Sequence, residues 1–576
     1  MAVATLPRSQ AKAEFRTCPV TFLKVDLAAE RLIIANAVAA VVFLLIGGLY
    51  ALLIALTRWQ AVHLLNATWF YRLLTAHGFN MLVAWMVFFE VAGLYFGSAI
   101  MLNARMVKPR LAWLGFILMA VGAVMFNVIV LMGKGDVMFT AYVPLKAHPL
   151  FYLGFILFAV GALIGVGLFF ANLVMAKREK TYEGSVPLVT FGLATAAILA
   201  VYTLVAGALA LVPALLWSLN IIPSVDPTYY RNMFWAFGHP AQQVNLAAMV
   251  SIWYMLASFT VGATPLNEKF SRLAFVLYIL FINLGSAHHL LVDPGPGFAW
   301  KATNTSYAMY LAVLGSLIHA FSIPAAIEVA QRRKGFTKGA FDWLRKGPWR
   351  EPGFSSLVIS MVLFGWVGGV TGVVIGTEQI NMLAHNTLRL PGHFHATVVS
   401  GTTLAFMGAT YYLIPLIFRR ELRLKKWASW QPYVFGSGML LVSIGMIAAG
   451  LQGVPRRHWD ITFAGSPFSI SIPAAAQISL ALFGVGALIA ITGGIMYLTV
   501  VLVSVFGGKR REAHRLTLVM SDANPLVEYA LPNKDKEAEG KLAPQGAFIL
   551  VLAFLIFMAT YYLTNWWLLG RTWLIR

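Results

Sequence analysis

Pro391-Gly392-His393-Phe394-His395 stands at the head of a run of apolar residues. Runs of about twenty such residues recur along the chain, the length that crosses roughly 30 Å of hydrocarbon as a helix. Bilayer interiors exclude ionisable side chains unless function holds them there. Two imidazoles in the mouth of a span therefore mark a membrane protein that binds something imidazole prefers, such as iron, copper or zinc. The pattern repeats on three other apolar segments, at His77, at His239 and at the pair His288-His289.

The rest of the composition agrees. The chain has 576 residues, 59% hydrophobic and 11% charged, with mean hydropathy +0.76; soluble domains run nearer one quarter charged. The formal charge of +21 lies in short loops between spans rather than on one basic face. Membrane topology and anionic lipid account for it, and nucleic-acid binding is excluded. Cys18 is the single cysteine, so neither a disulfide, nor an iron–sulfur cluster, nor a thiolate copper site can be built from this chain alone. The first apolar run, Leu32 to Leu56, is too long for a cleavable signal.

We read an all-α membrane protein, a bundle of about thirteen transmembrane helices filling residues 1–576 as a single domain. The spans are expected to begin near Leu32, Phe70, Arg110, Pro149, Val186, Tyr230, Arg272, Ser306, Phe354, Phe394, Tyr433, Ser471 and Ala547. Alternate loops are rich in cations, among them Arg105 and Lys108, Lys177 and Arg178, Arg332 to Lys346, Arg419 to Lys426, and Lys509 to Arg515. The positive-inside rule makes those loops and the N-terminus cytoplasmic, and an odd span count puts Arg576 outside. Residues 507–545 read as a solvated cytoplasmic loop. The expected location is the cell membrane, with multiple passes.

Orientation converts sequence position into depth. At ~1.5 Å per residue, His77 and His239 lie two to three turns below the outer surface, while His288-His289 ends an outward span and His393 and His395 open an inward one. Of the 12 histidines, only His319 and His514 fall in the inner half or the cytoplasm. A lone histidine in a span often makes a hydrogen-bonded contact between helices; six at one level point instead to metal or heme centres. Residues two apart on an α-helix point about 200° apart. His393 and His395 thus face different centres, with His77 a natural opposite axial ligand for a bis-histidine heme. His239, His288 and His289 form a three-imidazole set suited to copper, iron or zinc.

Several stretches together resemble subunit I of the heme–copper oxidoreductase superfamily, above all its B-type branch. They are Ala76-His77-Gly78, Phe237-Gly238-His239-Pro240, His288-His289 with Val292-Asp293-Pro294-Gly295, His385-Asn386-Thr387, Pro391 to His395, and Val454-Pro455-Arg456-Arg457. The resemblance implies that His77 and His395 ligate a low-spin heme and His393 a high-spin heme. It implies a non-heme metal, copper or iron, on His239, His288 and His289. Arg456 and Arg457 would bind heme propionates, with His385 nearby. Electrons would arrive through a partner subunit carrying a copper or heme centre, from cytochrome c or a quinol.

The chain departs from the oxygen-reducing pattern. B-type oxidases carry a tyrosine one helical turn after the first metal histidine; here that position is Gln243. Another branch supplies its tyrosine from span 7, where this chain has Ile282, with Tyr278 one turn deeper. Along the expected proton route Tyr254 persists, but Val250, Ala308, Gly315 and Ile318 replace polar residues, leaving Ser316 and His319 as an altered path. The simplest expectation is that protons arrive another way, from the outer side. Glu90 and Glu378 are the carboxylates to examine for their transfer, alongside Gln243 at the metal site. These losses favour a nitric oxide reductase; the alternative is a cytochrome c oxidase reducing dioxygen with proton pumping. A heme-carrying electron-transfer subunit would leave His239, His288 and His289 without purpose, and no chain of intramembrane carboxylates supports a transporter.

Overall fold

The computed structural model describes residues 14–18, 23–282, 284–510 and 543–572. A two-stranded antiparallel hairpin, β1 (Phe15–Thr17) and β2 (Lys24–Asp26), leads into a helical bundle. Among the described residues, twelve helices are long and apolar enough to cross a membrane. In chain order they are α1 (Leu27–Arg58), α2 (Ala67–Ile100), α3 (Pro109–Leu131), α4 (Pro149–Arg178), α5 (Leu188–Ser218) and α6 (Pro227–Val261). After the shorter α7 (Glu268–Leu277) come α8 (Phe298–Arg333), α9 (Pro352–Ile375), α10 (Arg389–Leu416), α11 (Lys425–Leu451), α12 (Ala474–Gly507) and α13 (Gln545–Arg571).

Local sequence explains where the spans start. Pro109, Pro149, Pro227 and Pro352 occupy first helical turns, where the missing N–H has no intrahelical partner to lose. Asp26, Asn66, Asp226 and Asn267 cap α1, α2, α6 and α7 by accepting from backbone N–H groups at 2.7–3.1 Å.

The seventh span is the irregular one. α7 gives way to a π turn at Tyr278–Ile282 and then to a tight 3-10 stretch at Leu284–His289. Apolar length predicts about thirteen spans; among the described residues there are twelve long helices and this broken one. Irregular backbone at membrane depth is tolerated only where protein satisfies it. Asn304 does so, donating from its side chain to the Leu284 carbonyl. α8 begins at Phe298 rather than near Ser306. Lys301 explains the extension, since its ammonium turns back to the Leu291 and Asp293 carbonyls at 2.6 and 3.0 Å and a cation can sit in the first turns.

The two ends confirm the parity. Arg16 contacts Glu30 at 2.5 Å and donates to the Leu416 carbonyl at 2.7 Å, placing the hairpin on the face of the basic loops. α13 starts on that face, where Glu328 accepts from the Gly546 and Ala547 N–H groups at 3.0 and 2.7 Å. It ends on the opposite face, where Arg389 meets Asn565 at 2.5 Å. His514, Arg511, Arg515, Arg576 and most of the expected loop 507–545 lie outside the described residues. α11 and α12 pack with backbones almost touching: a Cβ on Gly438 would collide with the backbone of Ala490, the close approach small residues allow between membrane helices.

Candidate redox site

The six outer-level histidines line one cavity of about 580 Å³, reached from α1, α2, α6, the 3-10 end of the seventh span, α9 and α10. They fall into three sets. The rings of His77 and His395 lie nearly parallel, 12° apart, with centroids 6.3 Å from one another. That gap is too wide for direct stacking and leaves room for an ion bonded at about 2 Å to a nitrogen on each side. His393 occupies a separate position against α9. A Cβ on Gly372 would meet its Cε1 at 2.6 Å, so glycine there keeps the ring's berth open. His239, His288 and His289 form the third set, with one ring nitrogen from each within 4.8 Å of the others.

Four of the six rings are oriented by the same device. Nδ1 of His77 donates to the Gly47 carbonyl (3.0 Å), that of His393 to Gly368 (2.9 Å), that of His395 to Pro391 (2.7 Å), and that of His288 to Gly285. A carbonyl can only accept, so each Nδ1 carries the proton and each Nε2 presents a lone pair. His289 is held by stacking on Trp235 at 4.0 Å, and the Trp235 indole donates to the Tyr142 hydroxyl at 2.7 Å. His239 differs: its Nδ1 lies 3.3 Å from Nε2 of His289, and its Nε2 lies 3.0 Å from Nε2 of Gln243.

The outer rim is cationic and short of anions. Arg456 and Arg457 line the cavity, and neither forms a salt bridge to a carboxylate among the described residues. Nε of Arg456 is buried without a partner. Burial, then the neighbouring Arg457, pulls the Arg456 guanidinium down to about 9; burial lowers Arg457 as well. Buried charges are expected to be paired, so these arginines suit the acid groups of a bound cofactor. Arg58, which the sequence reading passed over, shapes this rim by donating to the Pro455 carbonyl at 2.8 Å and to the Arg456 carbonyl. Its signal was a cation at the outer end of span 1, on the cation-poor face. His385 does not line the cavity. It sits behind the rim, where Asn386 accepts from the Arg456 N–H at 2.8 Å. Burial first and Arg456 second push its imidazole down to about 4.

Gln243 lines the cavity, but Glu90 and Glu378 do not. Glu90 is buried in α2 with one carboxyl oxygen unpartnered, and Glu378 is half-buried in the first turn of the short helix Glu378–Ala384. On the cytoplasmic side of the cavity, a hydrogen-bonded chain survives the apolar replacements at Val250, Gly315 and Ile318. The Tyr254 hydroxyl lies 3.0 Å from both Ser271 Oγ and His319 Nδ1. His319 reaches the cavity with Nε2 buried and unpartnered, near Tyr278, whose hydroxyl lies 2.9 Å from Ser316 Oγ.

Comparison with known proteins matches this architecture. Residues 31–489 match the family described as cytochrome c and quinol oxidase polypeptide I. Cytochrome c oxidase subunit 1 of Thermus thermophilus is 31% identical over 402 residues, covering 68% of this chain and 69% of the relative. Quinol oxidase subunit 1 of Bacillus spizizenii is 24% identical over 492 residues, covering 80% and 70%. A solved heme–copper terminal oxidase dimer shares the fold with TM-score 0.79 at 24% identity, covering 94% of this chain and 92% of that one. The chain belongs to the heme–copper oxidase subunit I family and is a multi-pass membrane protein.

Proposed function

We propose that this chain is the catalytic subunit of a respiratory terminal reductase acting on a diatomic gas, with nitric oxide its favoured substrate and nitrous oxide its product. His77 and His395 would hold a low-spin heme, His393 a high-spin heme, and His239, His288 and His289 a copper or iron ion; Arg456 and Arg457 would take the propionates, with His385 behind them. The carbonyl-locked imidazoles and the two arginines without a carboxylate partner fit those groups. When bound, the hemes and the third metal supply the electrons and the position at which the gas is held. A partner subunit with a copper or heme centre would feed them from cytochrome c or a quinol, the donors in the names of the relatives.

One observation carries the choice of gas. The group 3.0 Å from Nε2 of His239 is the amide of Gln243. Cleaving dioxygen calls on a side chain that can give up an electron together with a proton; a phenol can, an amide cannot. Joining two nitric oxide molecules into nitrous oxide and water takes two electrons and two protons and breaks no O–O bond. Protons need not enter from the outer side, the expectation that the apolar replacements raise: Ser271, Tyr254 and His319 form a hydrogen-bonded path from the cytoplasmic side to the cavity wall, which would serve either gas and leaves Gln243 to carry the choice.

Dioxygen reduction is the second reading, and Tyr278 is what favours it: a buried phenol on the same cavity, hydrogen-bonded to Ser316. Purified protein given a reduced donor should be offered nitric oxide and dioxygen separately. Nitrous oxide formation with slow oxygen consumption is the expected result. Rapid oxygen consumption coupled to proton pumping, with negligible nitrous oxide, would reverse the ranking.

A further inference from the structure

The stretch Val292-Asp293-Pro294-Gly295 belongs to none of the three histidine sets, yet its carboxylate stands four residues beyond His289. It meets a guanidinium on α6. Nε and Nη2 of Arg231 donate to the two carboxyl oxygens of Asp293 at 2.6 and 2.8 Å, the bidentate geometry that fixes direction as well as distance. Arg231 also opens a stripe on α6. Trp235 and His239 follow at intervals of four, so the three side chains stand one above another on one face. Each meets the incoming segment. Arg231 pairs with Asp293, Trp235 stacks on His289 at 4.0 Å, and the His239 ring lies 4.2 and 5.3 Å from those of His288 and His289.

The segment's own backbone is poorly suited to hold that register. His288 and His289 sit on a 3-10 turn, whose hydrogen bonds are weaker in geometry than those of an α-helix. The Trp235 ring beneath His289 is fixed through its indole N–H, which donates to the Tyr142 hydroxyl at 2.7 Å, and the Arg231 guanidinium carbon lies 4.3 Å from the Tyr142 ring centroid. Arg231 and Asp293 therefore stand at the end of two supports. One runs through Tyr142 and Trp235 to the face of the His289 ring, the other along the chain to its backbone. The loop is pressed onto α6 as well, since a Cβ on Gly295 would meet Thr228 Cγ2 at 2.6 Å. We propose that Arg231 and Asp293 are positioning residues, an ion-pair latch that sets the register of the His288–His289 segment on α6 and so keeps the three imidazoles gathered. The inference rests on reading His239, His288 and His289 as the third metal's ligands, and is independent of which gas is reduced.

The test uses the purified complex with wild-type, Arg231→Leu, Asp293→Leu, doubly substituted and Asp293→Glu subunits. Two quantities are read: non-heme metal per two hemes over time in a chelator, corrected for partner subunits, and the optical spectra of both hemes. Each leucine variant should keep both heme spectra but release the third metal at least about tenfold faster, the usual effect of losing a group that orients a ligand. The double variant should release it no faster than the quicker single one, because the two side chains act as one unit. Asp293→Glu, which keeps a carboxylate, should hold the metal. Leucine variants that retain metal like the wild type overturn the proposal, as does additive acceleration in the double variant. Hemes and third metal lost together also overturn it, since the pair would then be a general prop. Should the leucine variants fail to assemble, Arg231→Lys decides: it keeps the charge without the paired donors, and release no faster than in the wild type overturns the latch. A wild-type complex with no third metal overturns the ligand reading itself, a separate failure.

Discussion

His393 and His395 point to different sides because residues two apart on a helix diverge by about 200°, and the helix changes gauge between them. His393 lies in the α-helical turn Arg389–Phe394, and His395 opens a π-helical stretch that runs to Thr403. π turns inside helices frequently mark functional sites; here one ring lies against α9 and the other faces His77. His393→Ala should therefore abolish carbon monoxide and nitric oxide binding while the low-spin heme spectrum survives; gas binding that persists unchanged would refute the role given to His393. His385 makes a pH prediction. Its folded-state value of about 4 lies below the ordinary 6.5, so between those values the unfolded chain binds more protons than the folded one. Stability should then fall as pH drops from about 6.5 to about 4. His385→Gln should flatten that acid-side slope in thermal unfolding, and a slope left unchanged would remove His385 as its source.

At the scale of elements, the spans read clearly from sequence because apolar length is the whole requirement for crossing a bilayer. Their interruptions did not. After the break that follows α7, Asn304 on the next helix reaches the Leu284 carbonyl, a contact that no periodicity within either segment encodes. The six histidines were legible because each is exceptional in its own span. The groups that aim them, Gly47, Gly368 and Pro391, act through backbone carbonyls and leave no side-chain signal. The clamp on α13 was equally hidden: Glu328 is fully buried, pairs with Arg332 at 2.6 Å, and accepts from two N–H groups of the final helix. Glu328→Ala would strand Arg332 and both donors, a loss of about 3–5 kcal/mol for breaking a buried pair. Limited proteolysis should then release the C-terminal span faster than in the wild type; equal rates would show that the clamp is dispensable.

Across the whole molecule, the spans converge on one cavity near the outer face, with a cationic rim on one side and a hydrogen-bonded tyrosine–histidine path on the other. Sequence located the level of this cavity and, by spacing, divided its six imidazoles into a pair, a single ring and a triad; it could not show the near-parallel 6.3 Å spacing of His77 and His395 or the convergence of the triad's nitrogens within 4.8 Å. That division is the central claim, and it fixes what the protein must contain. Heme extraction, elemental analysis and low-temperature magnetic resonance on the purified complex, corrected for metals on partner subunits, test it together. The account predicts two hemes per chain, one six-coordinate low-spin with two histidines and one high-spin and open to gas, and one further copper or iron ion. A single heme, or two hemes with no third metal, would contradict it.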